Sequence, residues 1–243
     1  MTYFDRHSRV IFELNGKKHR GRVTRVMPKW RGVVTDSGKR LQVSARRLRY
    51  SPDRVLILET RLDPRSLRST RTYGPMLQQW LSAYDVVALY ERVHTVESLR
   101  RFLRREGKNV ATRFIQIIGH GTHQPGRVTA TFNLTFGKLD LVKQADVFEG
   151  LDGKILIFSC CEVGGNIGAM EAVKEASGAA AIITYRRWVY DWHSNICEVL
   201  LYDRLIETRL SPRKVVDAVN EALLDLGIKV GPEGSKKPVL LCY

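Results

Sequence analysis

The sequence predicts an α/β fold: a mostly parallel sheet with helices on both faces, preceded by a small basic β-barrel. Three observations predict it. From residue 54 onward, short apolar runs alternate with stretches of helical length, the pattern of strands buried on both faces and linked by crossover helices. The first 50 residues instead carry short strand-like segments separated by Asn15-Gly16 and Asp36-Ser37-Gly38, which is hairpin chemistry because Gly accepts a positive φ. The charge divides at the same place. The chain of 243 residues carries a net +15, of which +11 lies in residues 1–50 and +4 in the remaining 193.

In order along the chain, strands are expected at 10–14, 21–27, 32–35 and 40–43. Tyr50-Ser51-Pro52-Asp53 marks a boundary, giving an N-terminal module 1–52 and a second domain 53–243. The second begins with a buried strand at 55–58. A helix follows at 73–84, with Pro75 tolerated in its first turn, and then a strand at 86–90. Thr95 opens a helix that runs to Glu106, with Gly107 as its stop. A strand at 114–118 precedes a hairpin over 128–142 that turns about Phe136-Gly137-Lys138. Next come a strand at 155–158, a helix at 166–176 closed by Gly178, and a strand at 180–185. Helices at 193–207 and 212–226 follow, the second capped by Ser211 with Pro212 at its first position. Residues 240–243 read as a last short strand.

Composition excludes some functions. No run of apolar residues is long enough for a membrane-spanning helix. Of Cys160, Cys161, Cys197 and Cys242, two are adjacent and none forms a CxxC pair, so neither a disulfide framework nor a zinc site is expected. The expectation is a reduced, cytoplasmic compartment and chemistry that needs no cofactor and no metal.

In open parallel sheets, ligands sit beyond the carboxyl ends of the strands. Two strands end in reactive residues: 114–118 runs into Gly119-His120-Gly121, and 155–158 runs into Ser159-Cys160-Cys161-Glu162. A thiol becomes a nucleophile when an imidazole takes its proton. Taken singly, a His or a Cys after a strand is usually a polar edge residue or a small buried hydrophobe. The conjunction is rarer, and it points to a catalytic pair of His120 with Cys160 or Cys161. The N–H groups of Gly121 and Cys161 are candidate oxyanion donors. His123 is a rival base, without the following Gly.

These segments resemble the caspase-like superfamily of cysteine peptidases, most closely its CHAT branch of bacterial caspase-like domains. That branch has Gly-His-Gly after an apolar strand, matched by Ile117 to Gly121. Its Ser-Ala-Cys-Glu-Thr-Gly is matched by Ser159-Cys160-Cys161-Glu162-Val163-Gly164. A later block matches Gly178-Ala179, the strand 180–185, Trp188 and Asp191, and the closing Ser-Pro helix matches Ser211-Pro212. The resemblance covers roughly 54–227. It implies a caspase-like sheet, hydrolysis of a protein substrate, and regulation within a bacterial signalling or defence pathway. It also places Cys161 at the nucleophile and Cys160 where the family has Ala.

Relatives that cut after Lys or Arg resemble each other in an acid two positions before the Cys; here that position is Ser159. The groove implied by the resemblance is lined by Tyr185 and Arg186. Arg186 or Arg187 would pair with an acidic substrate side chain, or simply face water. The first 50 residues resemble Tudor and KOW barrels in pattern. They are expected to bind a regulatory protein partner, or nucleic acid through Lys17, Lys18, Arg20, Arg22, Arg25, Arg46, Arg47 and Arg49 with Trp30 among them. Two other classes stand beside the peptidase: a caspase-like module that binds or signals without catalysis, and a nucleic-acid-binding protein acting through its basic segment.

Overall fold

The computed structural model describes residues 4, 8–63, 71–84, 86–123, 126, 128–208, 210–228 and 238–243. The N-terminal segment is built from β1 (Arg9–Leu14), β2 (Lys17–Val26), β3 (Trp30–Thr35), β4 (Arg40–Ser44) and β5 (Arg49–Tyr50). Asn15 and Gly16, at φ 52° and 72°, close the first hairpin, as a two-residue primed turn requires. The strands alternate inward-facing Val10, Phe12, Val23, Val33 and Val43 around Phe4 and Leu48. The expected barrel takes another form. The sheet is antiparallel in the order β4-β3-β2-β1-β5 and is not closed. A 3-10 turn, Ala45–Arg47, separates β4 from β5, and only two residues of β5 remain to pair with β1.

The larger sheet has six strands in the order β14-β13-β12-β8-β6-β7. These are β6 (Asp53–Glu59), β7 (Val86–Arg92), β8 (Thr112–Ile118), β12 (Ile155–Ser159), β13 (Ala181–Tyr185) and β14 (Leu240–Cys242). All neighbours run parallel except β14 on β13. The near-continuous apolar runs of β6, β8, β12 and β13 follow from cover on both faces. One face carries α1 (Gly74–Leu81), α4 (Asp191–Glu207) and α5 (Pro212–Asp225), whose Leu77, Leu201 and Val215 pack on Val55, Ile57 and Ile157. The other carries α2 (Val96–Gly107) and α3 (Ile167–Ser177), whose Leu99, Leu103 and Met170 pack on Leu56, Ile115 and Phe158.

Thr95 and Ser98 form a reciprocal capping box on α2, and Gly178 ends α3 at φ 67°, where a Cβ would be strained. Gly107 is the last residue of α2 rather than its stop; a side chain there would strike the Gly150 carbonyl. The expected hairpin is β10 (Ala130–Leu134) with β11 (Gly137–Asp140). It joins a strand the sequence did not announce, β9 (His120–His123), in a three-stranded antiparallel sheet. No helix among the described residues is long and apolar enough to cross a membrane.

Candidate active site

β8 and β12 are adjacent and parallel, with Ile118 opposite Ser159. The residues that follow them leave the sheet side by side: His120 lies two past Ile118, and Cys161 two past Ser159. The Gly119 N–H donates to the Ser159 carbonyl at 3.1 Å, extending the register beyond the sheet. Gly121 brings the two chains closer still. A Cβ there would sit 2.5 Å from the Cys161 carbonyl oxygen and 2.6 Å from Val163 Cγ1, so any side chain would push the His and Cys segments apart.

Along β12 the period of two sorts the cysteines. Ile155, Ile157 and Cys161 pack on the α4 face, while Leu156, Phe158 and Cys160 pack on the α3 face. Cys160 is buried, and burial pushes its thiol well above the ordinary range. Cys161 is half-buried and lines a cleft of about 990 Å³. Its Sγ contacts the Val189 N–H at 3.5 Å and the Val189 carbonyl at 3.6 Å. Burial raises the Cys161 thiol as well, and the Val189 hydrogen bond opposes that rise. Cys161 therefore rests as a thiol.

His120 lines the same cleft. Its Nε2 lies 2.7 Å from the Leu62 carbonyl. A carbonyl only accepts, so Nε2 carries a proton, and in the neutral imidazole the lone pair is on Nδ1. Leu62 comes from the segment after β6, which supplies one wall with Arg61 and Asp63. The β10–β11 hairpin adds Asn133, Thr135 and Lys138 to the lining. Trp188 and Glu162 complete the rim.

After Cys161 the chain turns sharply. Glu162 sits at φ 64°, in the left-handed region that non-glycine residues seldom occupy. A 3-10 turn, Val163–Gly165, then leads to Asn166, whose side chain accepts from the Ala169 N–H and caps α3. Cys161 is thus separated from the start of α3 by that turn. Gly164 lies where a Cβ would meet Thr184 Cγ2 at 2.5 Å and the Tyr185 carbonyl at 2.8 Å. Close approach to β13 is its reason.

No protein-family model matches this sequence, and no curated protein matches it. Among solved structures, the Drosophila initiator caspase Dronc aligns with 78% of this chain and 78% of its own, at 10% identity and a TM-score of 0.49. The likeness is to a caspase.

The other expected site residues lie elsewhere. Ser159 is 8% exposed and Tyr185 1%, and neither lines the cleft. Ser159 Oγ donates to the Glu198 carboxylate on α4, and the Tyr185 hydroxyl donates to the Ser194 carbonyl at 3.1 Å and to Glu198 at 3.4 Å. Both were expected in a substrate groove and instead bind a buried carboxylate beneath it. Burial pushes Glu198 up to about 7, against the pull of the Ser159 and Tyr185 hydrogen bonds. Arg186 is exposed, with its backbone N–H bonded to Val239, and does not line the cleft. His123 does not line the cleft, and its Nδ1 lies 3.3 Å from Asn166 Nδ2. The sequence reading missed Leu62, which acts through a carbonyl that every residue has. It also missed Glu198, whose signal was a lone acid on the apolar face of α4.

Proposed function

We propose that this chain is a cysteine endopeptidase of caspase-like architecture, with Cys161 as nucleophile and His120 as general base. The observation that carries the proposal is the common register of the two strand ends, which sets His120 and Cys161 in one cleft with the imidazole tautomer fixed by the Leu62 carbonyl.

In this reading a peptide enters the cleft lined by the Leu62 segment and the β10–β11 hairpin. The thiol proton passes to His120 Nδ1 as Sγ attacks the scissile carbonyl carbon. Because burial keeps the resting thiol protonated, this transfer accompanies attack rather than preceding it. The oxygen gains negative charge opposite the N–H groups of Gly121 and Cys161. Collapse breaks the C–N bond, and the imidazolium gives its proton to the leaving amine. A thioester on Cys161 remains. Water, deprotonated by His120, then releases the acid and restores the thiol. No step draws on a metal or cofactor. Residues 1–52 contribute no catalytic group. The sequence likeness to the CHAT branch extends the reading to regulated cleavage in bacterial signalling or defence.

One observation favours a second reading, a non-catalytic binding module: the Cys161 thiol is engaged by Val189, and no hydrogen bond joins it to His120 among the described residues. Catalytic hydrogen bonds are often loose before substrate arrives, so the peptidase reading is preferred. The test is a proteome-wide comparison of new protein N-termini in cells making the wild type or Cys161→Ala. New termini that depend on Cys161 support the peptidase. Identical sets under activating conditions favour the binding module.

A further inference from the structure

A second cleft lies at the opposite ends of the same strands. It has a volume of about 580 Å³ and is lined by β1, β2 and β3 together with the amino ends of β8, β12 and α5. Its size is that of a small-molecule site. Six basic side chains line it: Arg9, Lys18, Arg20, Arg22, Arg113 and Lys154, drawn from both parts of the chain.

Fewer acids than cations face the cleft, with Glu106 and Glu207 acting on Lys154 and Arg22 from outside its lining. Asp53 lies beneath, buried, and binds Arg9, Arg20 and Arg113 at 2.8, 3.1 and 3.0 Å. Asp36 takes the other end of Arg9, and Asp152 is the remaining acid of the lining. Arg22 and Lys154 bond instead to backbone carbonyls, those of Ile206 and Asn109. Burial, then the nearby Arg9 and Arg113, pull the Arg22 guanidinium below its ordinary value. Burial, then Arg20, does the same to Lys154. The cations are therefore held close together and partly out of water, each at a cost that a bound anion would relieve.

We propose that this cleft is a binding site for a compact anion bearing two or more phosphates, of nucleotide size, held by Arg22 and Lys154 with Lys18 at the rim. Guanidinium groups match phosphate oxygens in a forked geometry, and lysine adds a point charge. A volume of about 580 Å³ fits a small ligand rather than the long backbone of a duplex. Part of the basic segment that the sequence offered to nucleic acid is consequently turned inward: Arg20 is buried, and Arg22 reaches the end of α4.

The full chain is titrated calorimetrically with inorganic triphosphate, with a nucleoside triphosphate, and with a single-stranded oligonucleotide, at low and physiological salt. Both triphosphates are expected to saturate a single site and to raise the thermal midpoint. Lys154→Met and Arg22→Gln should each weaken binding roughly ten-fold, the worth of one charge-assisted contact. Lys18→Gln, at an exposed position where folding is not at stake, should weaken it by a smaller factor. The pair Arg46→Gln with Arg47→Gln, exposed and outside the cleft, should leave it unchanged. Equal loss in that pair would overturn the proposal in favour of diffuse surface charge. Binding of the oligonucleotide alone, uncompeted by triphosphate, would replace it with a nucleic-acid surface. No saturable binding of either triphosphate would remove it.

Discussion

At their carboxyl ends, β8 and β12 set His120 and Cys161 beside an open cleft, with no buried ion pair at either residue among those described. At their amino ends, the same strands set Arg113 and Lys154 against the N-terminal sheet, where three arginines converge on one buried aspartate. The first end is held by backbone: a strand register, a glycine that lets two chains touch, a carbonyl under an imidazole. The second is held by charge. Backbone placement leaves reactive side chains free to change protonation during a reaction, whereas a buried ion network locks its members in one state. The difference teaches that the two ends should fail in different ways.

The largest expected effect is on chemistry at the carboxyl end. Cys161→Ala or His120→Ala should lower kcat/KM for a validated substrate by at least about a thousand-fold, as loss of a member of a catalytic unit does. Urea unfolding should stay near the wild type. If either variant unfolds instead, the site is structural and the contrast between the ends is lost.

Next is the amino end. Asp53→Asn leaves Arg9, Arg20 and Arg113 without their shared acid and should cost about 3–5 kcal/mol in urea unfolding. The arginines hold the Asp53 carboxyl below its ordinary value, against its burial. Its contribution is present above the ordinary aspartate range and is lost as pH falls through the lower folded value. A wild type that keeps full stability well below that range would break this assignment.

Glu198 provides the opposite slope. Its folded value of about 7 lies above that of an unfolded glutamate near about 4.3. The folded chain thus holds an extra proton between those values, so this group's contribution falls as pH rises through the window and levels off above about 7. The total fall is roughly 4 kcal/mol. Glu198→Gln should flatten it, measured by urea midpoints across that range. An unchanged slope would place the titration elsewhere.

The smallest effects sharpen the choice of residues. Cys160→Ala removes a buried sulfur from the α3 face and should cost about 1 kcal/mol. His123→Ala breaks only a contact to Asn166. Both should leave kcat/KM within about two-fold, since neither side chain lines the cleft. A dead Cys160→Ala beside an active Cys161→Ala would exchange the two cysteines.

Much of this was legible because strand periodicity is local. The apolar runs of β8 and β12 ended at His120 and at the Cys160–Cys161 pair, the family resemblance chose Cys161, and the Pro, Gly and Thr signals of α1, α2 and α3 lay near their observed ends. What was not legible depends on partners far away in the chain. Ser159 and Tyr185 read as groove residues until Glu198 was seen to claim both. β9 is a four-residue strand that exists only because β10 pairs with it. The open N-terminal sheet depends on how little of β5 survives after a 3-10 turn, which no pattern of apolar residues encodes.

Asn220 has a consequence for how the molecule meets its neighbours. From α5 its amide donates to the Leu240 carbonyl at 3.0 Å and accepts from the N–H groups of Val239 and Leu240 at 3.1 and 3.0 Å. β14 is the outermost strand on its side, and an outermost strand ordinarily offers unpaired backbone to any extended chain that comes by. Here one side chain occupies that offer. An incoming strand finds the backbone of Leu240 already taken, which shortens the template on that border of the six-stranded sheet.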